Sequence, residues 1–155
     1  MDLVSTPETR FGVALGFSEV DVEDGPSSAQ IEARHVGVYG GYVNGPIEVA
    51  GAMSYAMQDY DIVRGIALGG GGMAHARGET DGSALDLSVR ASYDLAAANG
   101  WGTDRSLRVA PMLTFDGGVV RRDGYSETGA GVLTLAVAET EFRHAALGLA
   151  RDVAA

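Results

Sequence analysis

The sequence predicts an all-β chain, an antiparallel up-and-down transmembrane β-barrel. Three observations predict it. The first is Ala84 to Leu95, where Leu85, Leu87, Val89, Ala91, Tyr93 and Leu95 alternate with Asp86, Ser88, Arg90, Ser92 and Asp94. Period-two alternation of this kind gives a strand with one apolar and one charged face, whereas a helix would scatter the leucines around its circumference. Ten steps of roughly 3.3 Å make about 33 Å of strand, and a tilt of about 40° turns this into about 25 Å, the height of the apolar band of a membrane barrel. The second is glycine, 23 of 155 residues, which falls in clusters that separate the alternating stretches. The third is that no run of about 18 apolar residues exists, so no helix crosses a membrane. The mean hydropathy of +0.05 is what alternation produces, because barrel strands average out their own hydrophobicity.

The remaining elements follow in chain order. A first strand spans Arg10 to Val22, with Phe11, Val13, Leu15 and Phe17 on one face and Gly12, Ala14, Gly16 and Ser18 on the other. An acidic stretch, Glu19 to Gly25, leads into Gly25-Pro26-Ser27-Ser28, which breaks the strand. A second strand covers Ile31 to Val43, and Asn44-Gly45-Pro46 is a tight turn. A third runs from Ile47 toward Arg64, with Ile47, Val49, Met53, Tyr55 and Met57 on one face. Gly65 to Asp81 reads mainly as a loop. After the opening stretch, Asn99-Gly100-Trp101-Gly102 is another turn. Leu107 to Asp116 alternates again, and Pro111 within it, lacking an amide donor, marks an edge, a bulge or a bend. Gly117 to Gly131 is polar and glycine-rich. Val132 to Ala138 is a sixth strand with Leu133, Leu135 and Val137 on one face, and Phe142 to Val153 is a seventh. Alanine, leucine and glutamate between Val132 and Ala155 keep a helix open there.

Loop lengths alternate: short near Asn44, Asn99 and Glu139, longer around Asp24, Gly70 and Gly124. This is the pattern of a barrel with short periplasmic turns and long outer loops. Phe11, Tyr42, Tyr93 and Trp101 would then form one aromatic girdle, and Phe17, Tyr60 and Phe115 the other. On this reading Leu85, Leu87, Val89, Leu113, Leu133 and Leu135 face lipid. Asp86, Ser88, Arg90, Asp94 and Arg108 face the lumen, where charges pair or stay hydrated. The same alternation also suits a soluble β-barrel or clamshell that binds an apolar ligand.

Composition narrows the chemistry. Eleven basic against 21 acidic residues give a net charge of −10, which argues against nucleic acid as a partner. With no cysteine there is no disulfide framework and no thiolate metal site. His35, His75 and His144 are far apart and lack a helical partner at four residues, so zinc-hydrolase chemistry has no local support. Gly16-x-Ser18 and Gly124-x-Ser126 lack the closing glycine of a nucleophile elbow. Gly69 to Gly72 has no following lysine and is not a phosphate loop. Placing Gly25 at the sixth position of a calcium loop puts Val20 and Val22 where carboxylates belong. No enzyme, cofactor or metal is expected. Met1 to Arg10 has neither the basic start nor the apolar core of a signal peptide.

With these stretches in view, the chain resembles the autotransporter β-domain, the translocator of type V secretion. The likeness lies in Val13-Ala14-Leu15-Gly16-Phe17 with its acidic continuation, His35-Val36-Gly37-Val38-Tyr39-Gly40-Gly41-Tyr42, Ala52-Met53-Ser54-Tyr55 and Tyr60-Asp61-Ile62-Val63-Arg64. It continues through the proline-bearing Val109-Ala110-Pro111 and through Gly124-Tyr125-Ser126-Glu127-Thr128-Gly129-Ala130 before Leu133-Thr134-Leu135. The resemblance implies a twelve-stranded barrel crossed by an N-terminal helix. With about seven strands, residues 1–155 would form an incomplete, open portion with both ends of the family domain missing. The chain ends in Ala154-Ala155 and not in the terminal aromatic usual among outer-membrane proteins. The implied function is to anchor in the bacterial outer membrane and assist secretion of an N-terminal passenger. The implied partners are outer-membrane lipid, the passenger in cis, the barrel-assembly machinery and periplasmic chaperones. No catalytic residue is assigned.

Overall fold

A computed structural model describes residues 1–100 and 108–154, with side chains for 1–100 and 109–151. The strands are β1 (Asp2–Ser5), β2 (Thr9–Asp24), β3 (Ser27–Asn44), β4 (Ile47–Ala67), β5 (Met73–Tyr93), β6 (Arg108–Arg122), β7 (Tyr125–Ser126), β8 (Ala136–Val137) and β9 (Thr140–Ala154). One short helix, α1 (Leu95–Asn99), follows β5. A single antiparallel sheet runs in the order β1-β2-β3-β4-β5-β6-β9, and β7 and β8 make a separate two-stranded ribbon. Among the described residues nothing pairs β1 with β9, so the sheet is open.

The strands outlast the sequence reading. β4 and β5 each have 21 residues and pair without interruption from Ile47↔Tyr93 to Ala67↔Met73. The expected loop from Gly65 to Asp81 is therefore strand, apart from the turn at 68–72. Gly117 to Arg122 likewise belongs to β6. Glycine weakens a strand's own preference, but two flanking ladders fix the backbone regardless.

Asp24↔Ser27 and Asn44↔Ile47 close two-residue hairpins of the same make, Gly25-Pro26 and Gly45-Pro46. Both glycines have positive φ, 58° and 56°, which a type II′ turn requires at its first central position. The connection at Asp24 is thus as short as the one at Asn44. The asymmetry between the two ends of the sheet lies in strand length beyond the apolar stretch and in the connection after β6.

Pro111 pairs with Arg151 of β9, while the β5–β6 ladder begins one residue later, at Ser92↔Met112. It therefore sits just past the end of the β5–β6 ladder, where no donor is needed on that side. β9 is a strand throughout, so the helical alternative fails there. Val132 to Ala138 is not a sheet strand. Gly131–Leu133 forms a single 3₁₀ turn and only Ala136–Val137 is extended, against β7.

Among the described residues no large side chain is fully buried, and the buried apolar ones are all alanines: Ala33, Ala56, Ala76, Ala96 and Ala110. A water-soluble domain of this size would enclose leucine, isoleucine and phenylalanine. Here the large apolar groups stand outside.

Candidate functional site

Register determines which side chains share a face. Row by row, Val13, Val38, Met53, Leu87, Gly117 and Ala145 stand side by side across β2, β3, β4, β5, β6 and β9. The next row toward Asn44 holds Phe11, Gly40, Gly51, Val89, Phe115 and Leu147. Leu85, Leu87, Val89 and Leu113 lie in this belt. The first charged residue above it is Glu19 on β2, Arg34 on β3, Asp59 on β4, Asp81 on β5, Arg121 on β6 and Arg143 on β9. Beyond that line β2 to β5 continue with acidic residues, among them Asp21, Asp61 and Glu79. A 21-residue strand has a span of about 66 Å and, tilted by about 40°, rises about 51 Å, twice an apolar band of about 25 Å. The hairpins β2–β3 and β4–β5 project well past the belt.

The opposite face carries small and polar residues. One row reads Ser54, Asp86, Gly118 and His144, and the next reads Ala52, Ser88, Asp116 and Ala146. Gly118 is a gap in this wall: a Cβ there would stand 2.5 Å from Asp86 Oδ1 and 2.6 Å from His144 Cε1. Both side chains lean over the glycine. Together with Ser54, Ser88 and Asp116 they line a shallow cavity of about 210 Å³. One row further, Arg90 lies 3.7 Å from Glu48. Asp86, Ser88 and Arg90 are thus brought together on one wall, as the alternation predicts, and Asp116, Glu48 and His144 join them.

Three of the expected site residues stand elsewhere, and a fourth, Arg108, has its side chain outside the described residues. Asp94 leaves the strand and caps α1, its carboxylate accepting from the amides of Ala96 and Ala97 at 2.9 and 3.0 Å. Aspartate competes well for free amides at a helix start, and that local bond outweighs one more step of alternation. The Asn99-Gly100 signal is the end of this helix, with Gly100 left-handed. Arg108 opens β6, and Trp101 likewise lies outside the described residues. Leu133 and Leu135 are not on a membrane-facing strand, since they belong to the connection after β6. Among the expected girdle residues, Tyr60 is on the polar face and donates to Gln58 Oε1 at 3.0 Å. Phe115 is level with Val89 inside the belt.

The connection 123–139 holds the feature that sequence reasoning missed. Its first part runs on along the edge of β5 beyond the end of β6. Asp123 N donates to Asp81 O, and Arg77 and Thr128 exchange a pair of backbone bonds at 2.8–2.9 Å. Between them, Tyr125 packs on Gly78, where a Cβ would approach the ring to 2.3 Å. The Arg122 guanidinium carbon lies 5.9 Å from the same ring's centroid, within range of a cation–π contact.

Glu127, only 7% exposed, points back to Arg64 near the far end of β4. Arg64 Nε donates to Oε1 at 2.9 Å and one terminal nitrogen to Oε2 at 2.5 Å, a two-pronged ion pair. That nitrogen also donates to Leu133 O at 2.9 Å, and Glu127 Oε2 accepts from Leu135 N at 2.9 Å. The Arg64 guanidinium holds the Glu127 carboxyl below the usual carboxylate range, against the opposing pull of burial. Arg64 and Glu127 are 63 positions apart, so no local spacing signals the pair.

An up-and-down antiparallel sheet with an outward apolar belt and a small, polar opposite face is the wall of a membrane-spanning β-barrel. The chain belongs to the autotransporter beta-domain family, whose model matches residues 1–149. Barrels of this family lie in the outer membrane of Gram-negative bacteria, and that is the location of this chain. Two curated relatives, both named Esterase EstA, come from Pseudomonas aeruginosa and Pseudomonas putida. Each is 31% identical over 129 residues, a match covering 81% of this chain and 19% of the relative. The chain therefore spans about a fifth of their length. The translocator domain of autotransporter NalP from Neisseria meningitidis has the same fold, with a TM-score of 0.69 at 13% identity. The match covers 98% of this chain and 50% of that one.

Proposed function

We propose that this sheet is part of the wall of a translocator barrel that anchors an N-terminal passenger polypeptide in the outer membrane and assists its secretion. The apolar belt meets lipid. The face carrying Asp86, Ser88, Arg90 and Asp116 lines a wet passage along which an unfolded chain slides. Such a wall suits the task because short polar side chains and ion pairs keep water in place and offer a passing chain little apolar surface to adhere to. The passenger in cis, the barrel-assembly machinery and periplasmic chaperones are the proposed partners.

The observation that carries this reading is the inverted distribution of side chains, with large apolar groups exposed in a belt while the buried apolar residues, among the described ones, are all alanines. A soluble barrel or clamshell binding an apolar ligand would place the large groups on the enclosed face. We assign no catalytic step to this chain. The curated relatives named as esterases extend far beyond the match, and esterase activity in a protein of this plan would lie outside the sheet. Two measurements test the proposal. The protein should float with lipid vesicles and should migrate differently on detergent gels before and after heating. Recovery in the aqueous fraction with no heat-dependent shift would refute it.

A further inference from the structure

The belt is hollowed over β6 and β9. On β6 and β9 the outward row of Leu87 ends in Gly117 and Ala145, whose small side chains leave a groove of about 480 Å³ walled by Leu85, Leu87, Phe115 and Val119. Its upper end is closed by Arg143, and Arg121 stands one row above Val119 on β6. These are the first charged residues above the belt on their two strands. They share one carboxylate, Glu141: Arg121 donates through Nε to Oε2 at 2.5 Å, and Arg143 through its own Nε to Oε1. No other hydrogen bond of either guanidinium occurs among the described residues, so the terminal nitrogens of both keep their donors free. Glu139 adds only a more distant charge.

An apolar groove that ends at two donor-rich guanidiniums, on the lipid side of a chain with net charge −10, is complementary to one kind of molecule. We propose that this groove binds a lipid with a phosphate-bearing head group, one acyl chain lying over Gly117 and Ala145 and the phosphate held by Arg121 and Arg143. Guanidinium forks match phosphate oxygens in pairs. The position suits the head-group level, because the charges begin where the belt stops. Elsewhere along that line the residues are acidic, except Arg34, which is paired with Asp59 at 3.7 Å. The inference rests on the membrane reading of the belt.

The test uses the protein, an Arg121→Gln/Arg143→Gln variant and a Gly117→Leu variant. All three are reconstituted in phosphatidylcholine vesicles containing one-tenth phosphatidic acid. Carbonate-resistant insertion is measured first. Each arginine near the membrane surface contributes about a fivefold preference for an anionic lipid, and the cluster carries an excess of about one charge. After release into detergent, native mass spectrometry should show the unaltered protein retaining phosphatidic acid about fivefold over phosphatidylcholine. The double variant should insert equally and retain both lipids alike. Gly117→Leu, whose Cβ would meet only the tip of the Phe115 ring at 3.2 Å and a backbone oxygen at 3.5 Å, should insert and lose phosphatidic acid because its groove is filled. Failure of the unaltered protein to insert refutes the membrane reading itself. Insertion with equal retention of the two lipids, or a preference that survives both variants, overturns the site. Displacement of phosphatidic acid by millimolar inorganic phosphate shows a free-phosphate site and overturns the lipid assignment.

Discussion

An arginine carried along β5 should report the position of the membrane. The outward apolar stretch of this strand runs from Leu85 to Tyr93, eight steps or about 27 Å, which a tilt of about 40° reduces to about 21 Å along the membrane normal. Val89 is its centre, flanked by Gly51 and Phe115. Val89→Arg should therefore destabilise the inserted state by about 2–4 kcal/mol, the cost of a guanidinium at the midplane. Leu87 lies two residues higher, roughly 5 Å from the midplane after tilt, so Leu87→Arg should retain most of that cost. Ser83, beyond the end of the belt, should tolerate arginine at about 0–1 kcal/mol. Ser88→Arg is the decisive control. It is one residue from Val89 but on the polar face, beside Asp116, where a cation gains a partner and stays hydrated. Urea titration of folding into lipid vesicles gives the four values. A Ser88→Arg penalty equal to that of Val89→Arg, or no gradient from Val89 to Ser83, would refute the assignment of faces.

Three other outcomes follow from the geometry. Single cysteines at Asp24 and at Val132, which is 99% exposed, should label on intact cells and one at Asn44 should not; labelling at Asn44 would reverse the topology. Gly124 is a poor probe, because a Cβ there would stand 3.0 Å from Glu139 N. Glu127 has a lowered carboxyl pKa, so its contribution is complete above the ordinary glutamate value of about 4.3 and is lost as pH falls below it. Hydrogen exchange in 123–139, corrected for intrinsic rate, should be constant from neutral pH down to that range and then accelerate, and Glu127→Gln should exchange fast already at neutral pH. Unchanged exchange in that variant would show that the ion pair does not hold the segment. Gly78→Val should displace Tyr125 and loosen the same segment, while Gly78→Val combined with Tyr125→Ala should cost less than the sum of the two; strict additivity would mean that the two residues are not in contact in solution.

Most of the wall was legible because alternation is a local property with a period of two. From Phe11 to Phe17 and from Leu85 to Tyr93 each residue states its own face, and the ladders respect every one of those assignments. What alternation cannot show is how far a strand continues once both its faces become polar. Gly65 to Asp81 carries glycine on both sides and Gly117 to Arg122 carries both glycine and charge on both sides, and only pairing with neighbours makes them strands. Leu133-Thr134-Leu135 failed in the opposite sense. It alternates, but its backbone is claimed by Arg64 and Glu127, which take up the Leu133 carbonyl and the Leu135 amide. Asp94 failed because its side chain found nearer amides than the next strand could offer. The Arg64–Glu127 pair was invisible for a different reason: both residues lay in stretches that carry the family likeness, but only the folded chain shows that they meet.

The two halves of the sheet are held by different physics. The belt's large apolar side chains stand exposed rather than packed against one another, so little stability comes from packing there; backbone ladders supply it, and they hold best where lipid offers the amides no alternative. Above the belt water competes for every ladder bond, and β2 to β5 project far into it. That is where the side-chain bonds gather. Arg34 with Asp59, Gln30 with Glu19, Arg64 with Glu127 and Arg121 with Glu141 all lie at or beyond the charged line. Exposed pairs such as Arg34–Asp59 contribute little each. The buried, two-pronged Glu127 contact is of another order, because it pins a seventeen-residue connection to the polar face of the projecting hairpin and so covers one side of a ladder that would otherwise be wet on both. A segment held there by one carboxylate leaves the wall below it intact when released, so loss of Glu127 should open the projecting end without unfolding the belt.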